Sequence, residues 1–231
     1  MRRAFLAKAL ERLDETVRAK QEWKDGLAAA RSRQDAIPCM DRMARAAINW
    51  GWPERAEEVM WFMAGSPNCP RWVLDGLWAL SAERSDTAQL QKLAGLLTLT
   101  DPKSVVFRNS YSFFSLLVHG EEGNPHQEAE RLFKENPGDA SITLTRALSL
   151  YVQGRAAESV TLMNALKSDE LRRPQMALYF GIFLTATGET ERAEGYLSLA
   201  KSWKMLPEEK ALLDRVKLAA AKAAQASAAP K

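Results

Sequence analysis

The chain has 231 residues, of which 46% are hydrophobic and 26% are charged, a composition typical of globular proteins that excludes wholesale disorder. The net charge of +3 comes from the ends, since residues 1–33 and 201–231 each carry +4 and the middle carries −5, which disfavours nucleic-acid binding. Two cysteines, Cys39 and Cys69, are too few for a disulfide framework. No run approaches 18 apolar residues, so we expect a cytoplasmic protein without a membrane span.

The first predicted element is a long helix over residues 3–33, which contain no proline. Its apolar side consists of Phe5, Leu6, Leu10, Leu13 and Val17. Its basic residues are Arg2, Arg3, Lys8 and Arg12. Two interpretations compete for this basic amphipathic helix: it caps the rest of the fold, which we favour, or it lies on the inner face of an anionic membrane.

Prolines divide the chain at nearly regular intervals of 32 to 37 residues. They are Pro38, Pro70, Pro102, Pro137, Pro174 and Pro207. Because proline is excluded from helix interiors, regular prolines indicate regular helix starts or breaks. The intervening residues follow helical spacing and strand signals are nearly absent, so we predict an all-α protein.

Glycines supply a second break within most intervals. Gly120, Gly154 and Gly188 are each 34 residues apart, and steps back from Gly120 reach Ser85 and then Gly51. A helix-ending residue with this period indicates stacked helical hairpins, none of which can bury its apolar face alone.

This phasing resembles the tetratricopeptide repeat (TPR) over residues 37–210. The family places one small residue in each helix of a repeat, where the two backbones cross closely. Matching pairs here are Ala44 and Ala56, Ala147 and Ser159, and Gly181 and Ala193. Repeats two and three depart from the pattern, with Trp78 and Phe113 at the small position of the first helix.

The resemblance implies a TPR-type right-handed superhelix, formed as a single array over residues 1–231. About five stacked helical hairpins occupy 37–206, between capping helices at 3–33 and 207–220. Pro207 and the acidic residues after it are typical of a helix start. Residues 221–231 are predicted to be a frayed tail.

The sequence offers little catalytic chemistry. Motifs of serine hydrolases, phosphate-binding loops, zinc proteases and paired-cysteine sites are missing from it. His119 and His126 flank one turn without metal-ligand spacing, so we interpret them as solvated loop residues. We therefore predict a non-enzymatic protein with no metal and no cofactor.

TPR arrays generally bind partners in a groove lined by the first helix of each repeat. The resemblance places there Asp41, Arg45, Asn49, Asp75, Glu83, Phe114, Leu144, Leu148, Tyr151, Leu178 and Ile182. The two aspartates would repel a terminal carboxylate, which disfavours the clamp of chaperone-tail-binding TPR domains. The apolar end suits an amphipathic helix, which is either a partner's, a second copy's or the chain's own C-terminal helix.

Function follows from the resemblance only as an expectation. The layout is similar to bacterial kinesin light chain-like TPR proteins, which implies an adaptor that binds a bacterial tubulin-like filament and links it to membrane. The basic ends and two tryptophans at the Gly51 turn, Trp50 and Trp52, are the expected exposed contacts. The alternatives are a secretion or assembly chaperone that holds a client helix, and an enzyme regulatory subunit.

Overall fold

The computed structural model describes residues 1–118 and 124–228. Across those residues it contains fourteen α-helices, one 3-10 turn and no strand, which confirms the all-α class. Helices α1 to α14 span, in chain order, Arg2–Arg12, Thr16–Arg31, Ala36–Asn49, Pro53–Ala64, Arg71–Arg84, Thr87–Thr100, Val105–Leu117, Pro125–Glu135, Ala140–Val152, Ala156–Asn164, Ser168–Leu171, Pro174–Ala186, Thr190–Leu199 and Pro207–Ala228. The 3-10 turn Ala200–Ser202 follows α13.

The periodic glycines mark helical turns. Gly51, Gly154 and Gly188 follow α3, α9 and α12 with φ of 72°, 79° and 84°. Ser85, at the position where the period lacks a glycine, follows α5 with the same left-handed backbone, φ 55°. Gly120 lies outside the described residues. These left-handed residues end one helix and allow the next to reverse direction.

The single helix predicted over 3–33 is wrong, because the chain turns between α1 and α2. Asp14 adopts the left-handed backbone with φ 61°, 37 residues before Gly51, so it precedes the periodic turns at nearly the same spacing. The two helices pack closely: a Cβ on Gly26 would lie 3.1 Å from the Cβ of Arg3. A further helical hairpin therefore precedes the first predicted repeat. Aspartate tolerates this backbone but does not signal it as glycine does.

The chain divides into two compact units, Met1–Leu80 and Ser81–Lys231, and their boundary falls inside α5. In the first unit, α1 packs on α2, α2 on α3, and α3 on α4. In the second unit, α7 packs on α9, α9 on α12, and α12 on α14, with α8, α10 and α13 packed beside these helices. Each hairpin described in this way contacts the next one along the chain.

Small residues allow the helices of a hairpin to approach closely. The hydroxyl of Ser159 in α10 donates a hydrogen bond of 2.8 Å to the carbonyl of Ala147 in α9, and both residues are fully buried. At Gly181 in α12, an added Cβ would lie 2.6 Å from Cγ of Leu197 and 3.4 Å from the carbonyl oxygen of Ala193 in α13. Only a residue without a side chain fits at Gly181.

Helix α14 extends well past the predicted C-terminal cap. The sequence predicts a helix over 207–220 and a frayed tail over 221–231, whereas the helix continues to Ala228. Five of the eight residues of the extension, 221–228, are alanine, the strongest helix former, and lysine and glutamine, which also favour helices, occur once each. Its buried face packs on α12, with Leu212, Leu213 and Val216 in the core.

Candidate functional site

The apolar residues predicted to line a partner-binding groove are buried within the second unit. Leu144 and Leu148 in α9 and Leu178 and Ile182 in α12 are exposed by 2% or less. They belong to one hydrophobic cluster with Leu212, Leu213 and Val216 of α14. Helix α14 packs on α12, so the chain's own C-terminal helix, one of the three occupants that the sequence left open, covers part of this region. All four side chains are inaccessible to a partner in this structure.

Polar contacts hold the start of α14. The carboxylate of Glu209, which is fully buried, accepts hydrogen bonds of 2.9 Å from the Tyr179 hydroxyl, the Trp203 indole N–H and the Leu206 backbone N–H. The next residue towards the N-terminus, Glu208, accepts a hydrogen bond from the Thr87 hydroxyl in α6. These contacts fix where α14 enters the core.

Burial changes the acidity of this pair. Burial raises the pKa of Tyr179 well above its usual range, and the nearby carboxylate of Glu209 adds to the effect. Burial also raises the pKa of Glu209, although the hydrogen bonds from Leu206, Trp203 and Tyr179 oppose the rise. Because the pKa of Glu209 is higher in the folded protein than in water, the stability of the packing of α14 on the core depends on pH.

Beyond the buried contact, an open groove of about 640 Å³ runs beside α14. We call it the α14 groove, and it is lined by Tyr151, Thr185, Ala186, Gly188, Thr190, Arg215, Val216, Ala219, Ala220 and Ala223. Tyr151, one of the residues predicted for the partner-binding groove, is among them. The hydroxyl of Tyr151 and the guanidinium of Arg215 provide polar groups among small and apolar neighbours. Burial raises the pKa of Tyr151, and the charge of Arg215 opposes that rise.

The first charged residues predicted for the partner-binding groove, Asp41 and Arg45, lie on α3 in the first unit and pair with each other. Asp41 accepts hydrogen bonds from the Trp72 indole N–H at 2.8 Å and from Nε of Arg45 at 2.9 Å. The guanidinium of Arg45 also lies 4.5 Å from the centre of the Trp72 ring. Asn49 is exposed. The arginine largely offsets the negative charge that the sequence assigned to this position.

Three further predicted groove residues lie on α5 and α7. Asp75 is exposed and pairs with Arg71 one turn away at 2.8 Å. Glu83 is exposed, and its backbone carbonyl accepts a hydrogen bond from Nζ of Lys204. Phe114 is half-buried and packs against the hydrophobic cluster of the second unit. None of these three residues is among those that line the α14 groove.

The prediction that Trp52 is exposed is wrong, and Trp50 is half-buried. Trp52 is 7% exposed because the rings of Trp23 and Trp50 pack edge-on against it and two cations lie over its ring. These are Nζ of Lys8 at 4.5 Å and the guanidinium of Arg55 at 3.8 Å from the ring centre. The indole N–H of Trp52 donates to Glu11 at 2.5 Å. The two tryptophans that flank Gly51 therefore pack against α1, which the sequence-based prediction of one long helix did not anticipate.

The predicted basic contacts divide into two groups. Lys8 is half-buried and bonds to Glu11 at 3.0 Å and to the carbonyl of Trp50 at 3.4 Å, so it is a structural residue of the first unit. Arg2, Arg3 and Arg12 are exposed, as predicted. Of these, Arg3 pairs with two acidic residues of α2, Glu22 at 2.9 Å and Asp25 at 3.4 Å.

Reactive groups are scattered through the described part of the chain. No group of three or more histidine, cysteine or acidic side chains is placed there to hold a metal ion. His126 hydrogen-bonds to the Ser149 hydroxyl at 2.9 Å, and His119 lies outside the described residues. Cys39 is buried, and burial raises the pKa of the half-buried Cys69 thiol.

Sequence reasoning missed Glu209, the central polar residue of the α14 contact. It interpreted Glu208 and Glu209 only as acidic residues at a helix start, where they favour the positive end of the helix dipole. One signal could have identified the role of Glu209: it is three residues after Leu206, the spacing at which an acidic side chain reaches back to the backbone N–H before a helix.

None of the helices in the described ranges is both long and apolar enough to cross a membrane. We compared the chain with known proteins. No protein-family model matches it, and no curated protein matches it.

Proposed function

We propose that this protein is a non-enzymatic, TPR-type scaffold that binds an amphipathic helix in its second unit. The observation that carries the proposal is the seating of α14 on the apolar residues of α12. Leu178 and Ile182 are fully buried in one cluster with Leu213, which is the arrangement of an amphipathic helix in an apolar groove. The groove therefore already accepts a helix, and that helix belongs to the same chain.

The occupant of the groove is chemically suited to exchange. Helix α14 contacts the core of the second unit through a short apolar stretch and the buried carboxylate of Glu209. A buried carboxyl group stabilises a fold less than an apolar residue of the same size does. Past Val216, α14 is mostly exposed and lines the α14 groove with alanines. A partner helix that enters beside these alanines would begin to compete for the same surface.

The family resemblance suggests an adaptor bound to a bacterial tubulin-like filament, and that partner stays a prediction. The client-holding chaperone is the alternative, since it uses the apolar residues that α14 covers. Co-sedimentation with a bacterial tubulin polymer separates the two. An adaptor that uses its exposed basic ends would pellet with the polymer at low salt and be released at high salt, because salt screens exposed charges. A chaperone would not pellet.

Exchange of α14 tests the helix-binding proposal directly. A protease site inserted between the exposed Lys204 and Met205 would release α14 from its tether and keep Trp203 and Leu206, which bond to Glu209, in the chain. We expect the cut helix to remain bound and to be displaced by an excess of a peptide covering residues 205–228. The displacement is measured by fluorescence anisotropy of labelled α14.

Two variant peptides provide the matched comparison. Leu213→Asp places a charge in the buried face of α14, and we expect it to compete roughly 100-fold less well. Lys217→Asp introduces the same side chain on the exposed face and should compete like the wild-type peptide. Equal competition by both variants would contradict helix binding in the groove.

A further inference from the structure

A second surface, independent of the α14 groove, lies on the outward face of α1. Helix α1 packs on its neighbours through Ala4, Ala7 and Leu10, all buried. Three other large apolar residues predicted for the packing side leave much of their surface uncovered: Phe5 is 58% exposed, Leu6 45% and Leu13, at the end of the helix, 69%. The cap interpretation is therefore wrong for these side chains, which remain uncovered on one side of the first unit.

The charges of α1 are distributed unequally between its two sides. Arg2 and Arg12 are exposed, and neither has an ion-pair partner among residues 1–118 and 124–228. The one acidic residue of α1, Glu11, lies on the inner side, where it bonds to Lys8 and Trp52. The outward face therefore combines large apolar side chains with arginines and has no carboxylate. The next acidic residue, Asp14, lies beyond the end of the helix.

This face is held in a defined orientation. The close approach of α1 to Gly26 fixes its backbone against α2, and the ring of Phe5 contacts that of Trp50 at 5.2 Å between centroids. Lys8 ties the helix to the turn that follows α3. The exposed side chains are thus presented by a folded unit, so binding needs little further ordering of the helix.

We infer that the outward face of α1 binds the surface of an anionic lipid bilayer. Apolar side chains on a helix face enter the boundary between headgroups and acyl chains, and flanking arginines are attracted to anionic lipids. A bilayer accepts this mixture without specific hydrogen-bond partners, whereas a protein partner would have to supply acidic groups placed opposite Arg2 and Arg12. The contact lies along the membrane surface.

Vesicle flotation of the full chain tests the inference. The probe is a vesicle of phosphatidylcholine that contains about 30% phosphatidylserine, which resembles an anionic leaflet. We expect the protein to bind to it. We expect much weaker binding to phosphatidylcholine alone, and release at high salt. Equal binding to both kinds of vesicle, or no binding to either, would overturn the inference.

Matched variants separate the contribution of this face from the rest of the chain. Leu6→Ser with Leu13→Ser should weaken binding by roughly tenfold or more, and Arg2→Gln with Arg12→Gln by roughly fivefold for each arginine. The control is Val106→Ser on α7, which removes an apolar side chain that is 69% exposed and should change nothing. Thermal unfolding must be the same for all variants. If Leu6→Ser and Leu13→Ser instead convert a dimer to a monomer in sedimentation and leave vesicle binding unchanged, a second copy covers the face and the inference is wrong.

Discussion

The hydroxyl of Tyr179 in α12 donates a hydrogen bond of 2.9 Å to the carboxylate of Glu209 in α14, and both residues are fully buried. This bond joins the helix that carries the apolar groove residues to the helix that covers them. Because one partner titrates, the bond also connects the seating of α14 to pH.

Replacing Glu209 with glutamine should remove a pH dependence of stability. Burial raises the pKa of Glu209 above its ordinary value of 4.5, so the folded protein holds this proton more tightly than the unfolded chain does. The stabilisation from Glu209 is therefore complete below about pH 4.5 and is lost as the pH rises through the raised pKa, at about 1.4 kcal/mol for each pH unit between the two values. Urea unfolding of the wild type and of Glu209→Gln from pH 4 to pH 7 measures this change in the free energy of unfolding.

The difference between wild type and Glu209→Gln is the informative quantity, because other groups titrate in both proteins. We expect the wild type to lose stability relative to the variant as the pH rises. The exposed substitution Glu54→Gln on α4 removes one charge from the first unit and controls for net charge. A difference that stays constant across this range would show that Glu209 does not couple folding to pH.

Replacing Gly181 with alanine should destabilise the second unit. The new Cβ would lie 2.6 Å from Cγ of Leu197, a distance that requires the Leu197 side chain or the helices to shift, and overpacking of this kind costs about 1–3 kcal/mol. Gly195→Ala on α13 is the matched control, since its Cβ meets nothing within 4 Å and alanine favours a helix by about 1 kcal/mol. Thermal unfolding should thus move in opposite directions. If both variants changed the melting temperature in the same direction, α12 and α13 would not cross closely at Gly181.

Replacing Ser85 with glycine should stabilise the protein, although it removes a side chain. Ser85 has φ 55°, where a side chain costs about 1–2 kcal/mol and glycine does not. Gly154→Ala, at the equivalent turn with φ 79°, should lower the free energy of unfolding by a similar amount. Urea unfolding of both variants checks this. If Ser85→Gly destabilises the protein, the hydroxyl has a role at the turn that outweighs the backbone strain.

Most of the turns between helices could be predicted from the sequence because each depends on a single residue in its own segment of the chain. A left-handed turn residue ends a helix wherever it occurs, so the glycine period located three of the turns that the structure shows, and its gap at Ser85 located a fourth. The turn at Asp14 was missed because aspartate is compatible with helices and turns alike. Without that turn, α1 and α2 were read as one helix and their packing sides were misassigned.

The candidate site was harder to predict because it depends on contacts between distant parts of the chain. The family pattern identified Leu148 as a groove residue but could not show that the chain itself covers it, and Leu148 is fully buried. Substitution by aspartate there would disrupt the core and not only a binding surface. Trp52 was misassigned for the same reason, since its cover comes from α1, about forty residues earlier in the chain.

Replacing Trp52 with alanine should cost far more stability than replacing Trp50, although the two flank the same glycine. Trp52 is 7% exposed and its indole N–H bonds to Glu11, so the substitution leaves a large cavity and removes one of the donors to that carboxylate, a loss of about 3–5 kcal/mol. Trp50 is half-buried, and we expect a loss of roughly half that size or less.

Circular dichroism is the suitable measurement for the two tryptophan variants, since each substitution changes the fluorescence directly. Urea unfolding gives the free energy for each variant, and Trp52→Phe, which keeps an aromatic ring between Lys8 and Arg55 but loses the N–H donor, should fall between wild type and Trp52→Ala. If Trp50→Ala and Trp52→Ala were equally destabilising, the ring of Trp52 would not be the centre of this cluster. In that case α1 would be held to the first unit chiefly by its small residues against Gly26.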